Sequence, residues 1–227
     1  MASTQKTETY WKEQGVDFSK YYQRTERFSL KRFVSRFLNG RTQMLMSLLD
    51  AHEDARVLDV GCGSGIHMKL LAPRVREIVG LDLSEQMLSS AQSELEKLDR
   101  RNWTLKLGDA QDLPFPDNSF DWIVSMGLFD YVPSAERVLN ECARVLRNPG
   151  YMVFGIPKKP SLFFFLRTRI GFVIRKKLFG LPPIENIVTR AQLEDLLRAA
   201  GFRICSLGSL WTAMWMVKAV KTKDTSN

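Results

Sequence analysis

Residues 57–65, VLDVGCGSG, place three glycines within five positions directly after an apolar run. A glycine-rich turn lets a ligand approach the backbone closely, because glycine has no Cβ. Asp59 stands two residues before the first glycine, and Asp82 ends the next apolar run, EIVGLDL. A carboxylate at that second position is placed to bind ribose hydroxyls. These residue types at this spacing indicate a binding site for a ligand that contains a nucleoside.

The same residues discriminate between kinds of nucleoside ligand. Gly61, Gly63 and Gly65 are spaced one position tighter than the glycines of the dinucleotide fingerprint. Asp59 would bring negative charge close to a pyrophosphate, and the loop has no lysine for a triphosphate. Asp59 suits an ammonium instead, bound directly or through water. S-adenosylmethionine (SAM) has a nucleoside at one end and cationic groups at the other, so it fits better than NAD. A nicotinamide dehydrogenase is the alternative, and titration with both molecules separates the two.

The elements that must position these residues follow from the apolar pattern. After Arg56, short apolar runs alternate with helical stretches, which predicts a parallel sheet with crossover helices. Ser84, Ser134 and Thr189 are predicted helix N-caps. The predicted strands are RVLDVG, EIVGLDL, WTLKLGD, FDWIVSMG, YMVFGIP, FRICSLGS and TAMWMVKAV. The fold class is therefore α/β: a Rossmann-like, mostly parallel sheet of seven strands, with helices on both faces and an antiparallel last strand.

Two segments lie outside this alternation. The N-terminal residues read as helical, with a helix SLKRFVSRFL that Asn39 and Gly40 are predicted to end and a second helix that starts near Thr42. The other segment is an insertion after the fifth strand. The predicted organisation is a helical cap at 1–50, a SAM-binding domain at 51–220 with a lid insertion at 158–188, and a disordered tail at 221–227.

The chain has 227 residues and a net charge of +8, and its positive charge is concentrated in these two segments. Residues 20–41 contain seven basic residues and one acidic residue, and residues 158–177 contain seven basic residues and no acidic one. The insertion also contains five phenylalanines. Because interfacial segments combine large apolar groups with Lys and Arg, we predict contact with an anionic membrane surface through 20–41 and 158–179. The alternative is a solvated face and a lid that packs on the core.

Composition restricts the remaining classes. No apolar run reaches the roughly 20 residues that span a bilayer, and the N-terminus lacks the apolar core of a signal peptide. We therefore expect a cytoplasmic protein, with membrane association as an additional property. Three widely spaced cysteines and two histidines predict neither a disulfide framework nor a metal site. The basic segments carry no zinc-finger or RNA-binding signature, so nucleic acid is an unlikely partner.

Four stretches together resemble a known family. VLDVGCGSG, VGLDLS, GDAQDLPFPDNSFDWIVS and ECARVLRNPG are similar to successive motifs of class I SAM-dependent methyltransferases, above all of the ubiquinone and menaquinone biosynthesis branch. The resemblance covers residues 56–157. It implies that the methionine part of SAM is bound by Asp59, Gly61, Cys62 and Gly63, the ribose by Asp82, the adenine by Leu83, Met87, Asp109 and Ala110, and the methionine side also by the backbone of Ser125 and Met126. For Met87 a place in the helix core, and for Asp109 a simple turn role, remain alternatives.

Methyl transfer requires alignment of the acceptor, and a base only if the acceptor is a weakly acidic hydroxyl or a protonated amine. Asp130 and Tyr131 directly follow the fourth strand, where sites of α/β sheets open. Many members of the family have histidine near Tyr131, and this chain does not. Tyr131 is predicted to orient the acceptor, with simple packing as the alternative, and Asp130 could equally be a helix-entry acid. His67, in the first turn of the helix after the glycine loop, is predicted to touch cofactor or acceptor, or to be an ordinary helix residue.

The sequence therefore predicts a SAM-dependent methyltransferase that acts on a small lipophilic acceptor: a quinone precursor, a lipid head group or a hydrophobic metabolite. A SAM-binding regulatory or partner protein without catalysis is the alternative, since binding and turnover share the same motifs. A nucleic-acid methyltransferase is less favoured. SMGLFDY stands after the fourth strand, where base-methylating enzymes have an NPPY-type motif.

Overall fold

The computed structural model describes residues 29–159, 185–210 and 213–222, with side chains from Arg36 onward. Its strands are β1 Arg56–Val60, β2 Glu77–Asp82, β3 Trp103–Leu107, β4 Phe120–Met126, β5 Leu146–Pro157, β6 Phe202–Leu210 and β7 Met214–Lys221. Its helices are α1 Ser29–Leu48, α2 Ile66–Leu71, α3 Glu85–Leu95, α4 Ala135–Val145 and α5 Arg190–Ala199, with a 3₁₀ turn at Ala72–Arg74 after α2.

The strands form one sheet in the order β3-β2-β1-β4-β5-β7-β6. β1 pairs in parallel with β2 and β4, whereas β7 runs antiparallel to both β5 and β6. The predicted Rossmann-like sheet with its antiparallel last strand is confirmed. The strand order reverses between β1 and β4, and in doubly wound sheets ligands bind in the crevice at the carboxyl ends of the two strands where this happens.

Helices cover both faces of the sheet, as predicted. On one face, Leu139 of α4 and Leu193 of α5 are completely buried against the sheet. On the other face, Leu45 of α1, Met68 of α2 and Leu95 of α3 are completely buried. Each strand of the sheet centre therefore packs on both sides, which explains why β1, β2 and β4 read as nearly continuous apolar runs.

The three predicted N-caps are confirmed. The Ser84 and Ser134 hydroxyls accept the backbone N–H groups at the third helical positions of α3 and α4, over 3.3 and 3.2 Å. Thr189 forms a capping box with Gln192 at the start of α5. These hydrogen bonds satisfy N–H groups that have no partner within the helix, so the local sequence determines where each helix begins.

The prediction that Asn39 and Gly40 end the first helix is wrong. α1 runs without interruption from Ser29 to Leu48. The reason is tertiary: a Cβ at position 40 would lie 3.1 Å from Leu210 Cδ1, so glycine lets the helix pack closely against the end of β6. The packing of α1 thus outweighs the weak helix propensity of the Asn-Gly pair.

The ends of two strands also differ from the prediction. α4 ends at Val145, and β5 begins at Leu146, which pairs with Phe120, before the residues NPG that were predicted to separate helix from strand. β7 includes Lys221, which was predicted to start the disordered tail. Lys221 is buried because its Nζ donates to the Leu146 carbonyl over 2.8 Å and to Asn118 Oδ1 over 2.9 Å.

Much of the predicted cap and lid lies outside the described residues, namely 1–28, 160–184 and the tail residues 223–227. The two ends of the insertion are described and lie side by side. Lys159 N–H donates to the Val188 carbonyl, and Val188 N–H donates to the Pro157 carbonyl, over 2.9 and 3.0 Å. The chain therefore leaves the sheet and returns to it at one place. Within the described ranges, no helix has the length and apolarity needed to cross a bilayer.

Candidate cofactor and active site

The glycine turn connects β1 to α2 at the carboxyl edge of the sheet. Gly61, Gly63 and Gly65 have φ values of 74°, 53° and 75°, a region that L side chains rarely adopt. The N–H groups of Gly61 and Cys62 both donate to the Leu81 carbonyl, over 2.8 and 3.0 Å. The turn is thereby fixed to the end of β2, where Asp82 follows.

The three glycines meet different surroundings. A Cβ at Gly61 would lie 3.0 Å from Leu128 Cδ1, and one at Gly65 would lie 3.0 Å from the Ala91 Cβ. A Cβ at Gly63 would meet nothing within 4 Å. Gly61 and Gly65 therefore allow close packing within the protein, whereas Gly63 faces open space that a ligand can occupy.

Asp59 is the most unusual charge of the site. Its side chain is completely buried in β1, and neither carboxylate oxygen has a hydrogen-bond partner among the described residues. Burial raises the pKa of Asp59 to about 8, and the negative charge of Asp82 adds to the effect. A buried carboxylate without a donor is costly, and an ammonium would supply the missing donors and charge. This orphaned carboxylate fits the cationic end of SAM.

Asp82 performs a structural task at the position where ribose binding is predicted. Its Oδ2 accepts the Gly63 N–H over 2.8 Å and its Oδ1 accepts the Ser84 N–H over 3.0 Å. Burial raises the pKa of Asp82, although the backbone N–H groups that it accepts lower it. Each carboxylate oxygen has two lone pairs, so capacity remains for the two ribose hydroxyls. Asp82 thus holds the glycine turn in shape from the position where the ribose is expected.

The residues predicted for the adenine lie around the ends of β2 and β3. Leu83 is half-buried, and Met87 is buried on the same helix as Ala91 and Leu95. Asp109 Oδ1 accepts the Gln111 N–H over 2.8 Å and so also has the turn role that was the alternative. Ala110 beside it is buried.

Ser125 and Met126 end β4, next to the glycine turn across the reversal of strand order. Ser125 is completely buried, and its Oγ donates to the Val60 carbonyl over 2.9 Å. Met126 is also buried. Gly127 follows with a φ of 91° and turns the chain away from the sheet. The carboxyl ends of β1 and β4 are thereby joined at the crevice.

The three candidate catalytic residues lie in two parts of the chain, the segment after β4 and α2. Asp130 and Tyr131 follow β4; Asp130 is buried, its carbonyl accepts the Glu185 N–H over 2.9 Å, and Tyr131 is half-buried. His67 is buried in α2, with Nε2 3.4 Å from the Thr42 hydroxyl of α1. Burial, with the nearby positive charge of Arg41, lowers the pKa of His67 to about 3. His67 is therefore neutral at physiological pH and a weak base.

Sequence reasoning missed two residues of this region. The Arg41 guanidinium lies over Gly127, with Nη1 3.1 Å from where a Cβ would stand. Glu185, near the C-terminal end of the insertion, contacts the segment after β4, and its Oε1 is buried without a hydrogen-bond partner among the described residues. Arg41 was visible only as one charge in a basic stretch. Its distance from the glycine turn in the sequence left no spacing signal that could connect the two.

Known proteins share both sequence and fold with this chain. Residues 58–154 match a family model described as a methyltransferase domain. A phosphatidylethanolamine N-methyltransferase of Cereibacter sphaeroides is 41% identical over 107 residues, which are 45% of this chain and 52% of that protein. A demethylmenaquinone methyltransferase of Symbiobacterium thermophilum is 34% identical over 173 residues, 64% of this chain and 67% of that protein.

The chain thus spans about half to two thirds of the length of these curated relatives. Among solved structures, the magnesium protoporphyrin IX methyltransferase of Synechocystis, with bound S-adenosylhomocysteine (SAH), superposes with a TM-score of 0.73 at 20% identity. The superposition covers 96% of this chain and 99% of that one. Together with the glycine turn and its two acids, these matches show that the chain belongs to the class I SAM-dependent methyltransferases.

Proposed function

We propose that this protein transfers the methyl group of SAM to a small lipophilic acceptor: a quinone precursor, a lipid head group or a hydrophobic metabolite. The observation that carries the proposal is the buried, unpartnered Asp59 beside a glycine turn that leaves space at Gly63. The acceptor class is supported by the relatives, whose names specify a menaquinone precursor and a phospholipid.

In this proposal the chain acts mainly by binding and alignment. SAM supplies the activated methyl on its sulfonium when bound. Asp59 attracts the ammonium end, Asp82 accepts the ribose hydroxyls, and Met87 packs against the adenine. The backbone after β4, from Ser125 onward, borders the methionine part. Such positioning contributes on the order of 7–11 kcal/mol to lowering the barrier, because it removes the entropy loss of bringing two reactants together.

The acceptor is expected beyond the end of β4. Leu128 and Tyr131 are half-buried there, and Phe129 is buried beneath them. The C-terminal end of the insertion borders this region, since Asn186 Nδ2 donates to the carbonyls of Phe129 and Val132 over 3.0 and 2.7 Å. We propose that Tyr131 orients the acceptor. His67 is not the base in this proposal, because its lowered pKa leaves it with little affinity for a proton.

The basic segments 20–41 and 158–179 are proposed to bring the enzyme to anionic lipid, where a lipophilic acceptor would be found. Flotation with vesicles of phosphatidylglycerol and phosphatidylcholine tests this part. We expect co-flotation that decreases as salt rises. Equal recovery with purely zwitterionic vesicles, or no dependence on salt, would remove the electrostatic contact from the proposal.

The activity itself is tested by SAH formation with a panel of acceptors: a demethylated quinol, phosphatidylethanolamine, a water-soluble catechol and RNA. We expect turnover with a lipophilic member only. Tyr131→Phe should slow turnover while SAM affinity remains, and the exposed Arg137→Gln serves as the matched control near the same strand end. SAM binding without turnover of any acceptor would favour the regulatory alternative, and turnover of RNA or of the soluble catechol would refute the lipophilic class.

A further inference from the structure

α1 contacts α2, which follows the glycine turn, and also the loop after β4. Two neighbouring residues of the helix make the contacts. Arg41 lies over Gly127 after β4, and the Thr42 hydroxyl lies 3.4 Å from His67 Nε2 in α2, directly after the glycine turn. Residue 41 lies outside the part of the chain that matches the family model. A cation from this helix therefore reaches the place where β1 and β4 diverge.

Among the described residues, no acidic side chain forms an ion pair with Arg41. Arg41 is half-buried, and its Nε is buried without a hydrogen-bond partner among the described residues. Two other half-buried arginines are ion-paired: Arg56 with Glu77 over 2.8 Å and Arg144 with Glu141 over 2.7 Å. A partly desolvated guanidinium is unfavourable without an acceptor, and its planar fork matches a carboxylate. The position thus requires an oxyanion that the described residues do not supply.

We propose that Arg41 binds the carboxylate of the methionine part of SAM. This inference rests on the proposed function and names a further residue of the same site. Gly127 directly follows Ser125 and Met126, whose backbone borders the methionine part in that function. Asp59 would take the ammonium from β1 and Arg41 the carboxylate from above β4. The two side chains carry charges opposite to those on the two adjacent groups of the amino acid.

One further feature of the structure agrees with this assignment. Gly127 has no side chain that would displace the guanidinium, because a Cβ there would stand 3.1 Å from Nη1. Cofactor binding would also tie α1 to the sheet, since the carboxylate would lie between the helix and the end of β4. An acidic group on the acceptor is the other possible source of an oxyanion, and the experiment separates the two.

Calorimetric titration of SAM and of decarboxylated SAM tests the proposal. The second molecule keeps the adenosine, the sulfonium and the ammonium and lacks only the carboxylate. Arg41→Gln should weaken SAM binding roughly 10- to 100-fold, as for a lost charge-assisted pair, and leave decarboxylated SAM unaffected. Arg41→Lys should restore part of the affinity for SAM. Arg36→Gln, an exposed arginine of the same helix, is the matched control and should change neither affinity.

Four results would overturn the proposal. If Arg41→Gln weakens both ligands equally, Arg41 acts on the fold of the site and not on the carboxylate. If it changes neither affinity but raises the KM of an acidic acceptor, the oxyanion belongs to the acceptor. If the unmodified protein binds no SAM at all, the proposed function itself is wrong. If it binds SAM and Arg41→Gln does not change the affinity, only the assignment of Arg41 is wrong. Thermal melts of all variants identify any that do not fold.

Discussion

Asp59→Asn should stabilise the protein without cofactor at neutral pH while it weakens SAM binding. The pKa of Asp59 is about 8 in the folded protein, against an ordinary value of 3.8. Between these values the unfolded chain has lost the proton and the folded protein has kept it, so stability falls as pH rises from about 4 to 8. At 1.36 kcal/mol per pKa unit, Asp59 costs roughly 4 kcal/mol at pH 7. The asparagine variant lacks this dependence on pH.

The difference between variant and parent isolates this effect. An unpartnered amide also costs about 1–3 kcal/mol when buried, but that cost does not change with pH. The free energy of unfolding of Asp59→Asn minus that of the parent should therefore rise by roughly 3 kcal/mol between pH 5 and pH 7. Urea denaturation followed by circular dichroism measures it. Asp54→Asn, at an exposed position just before β1, is the control.

The same residue couples SAM binding to proton release. Because an ammonium favours the ionised carboxylate, SAM binding at pH 7 should release about one proton from Asp59 in the parent and none in Asp59→Asn. Titrations in two buffers with different ionisation enthalpies count the protons. A difference in unfolding free energy that stays flat with pH, or a variant that binds SAM as tightly as the parent does, would refute the assignment of Asp59.

Substitution of two glycines of the turn should have different effects. Gly61→Ala should lower the free energy of unfolding by about 2–4 kcal/mol, because its Cβ meets Leu128 at a positive φ. Gly63→Ala should lower it by only about 1 kcal/mol and should chiefly weaken SAM binding. Urea denaturation and calorimetry compare them, and equal losses in both properties would contradict the open space at Gly63. Arg144→Gln should lower the free energy of unfolding by about 2–4 kcal/mol in the same assay. The Arg144 guanidinium donates to Glu141 and to two carbonyls of the loop between β3 and β4. A decrease no larger than that for removal of an exposed surface charge would contradict this role. The pKa of His67 is about 3 in the folded protein and 6.5 ordinarily, so protonation in acid favours the unfolded chain. At pH 5 this lowers the free energy of unfolding of the parent by roughly 2 kcal/mol, and His67→Gln should not show this decrease. An imidazole NMR signal of His67 that titrates near pH 6.5 would disprove its burial.

The order of the strands and the identity of the cofactor could be predicted from local sequence signals. Short apolar runs, N-caps at Ser84, Ser134 and Thr189, and the spacing of three glycines are local signals, and each depends on residues within a few positions of one another. Parallel strands bring their carboxyl ends to one edge, so Asp59 and Asp82 could be expected to share a site without knowledge of any long-range contact.

The surroundings of those groups, and the partners that they lack among the described residues, depend on long-range packing. The continuation of α1 through Gly40 depends on Leu210, which follows 170 positions later. The raised pKa of Asp59 depends on complete burial, and the reach of Arg41 over Gly127 depends on how α1 lies across the sheet. Burial and the placement of charge are properties of packed surfaces, and residues far apart in the chain create them together. For this reason, the spacing of residues in the sequence does not predict burial or the placement of charge.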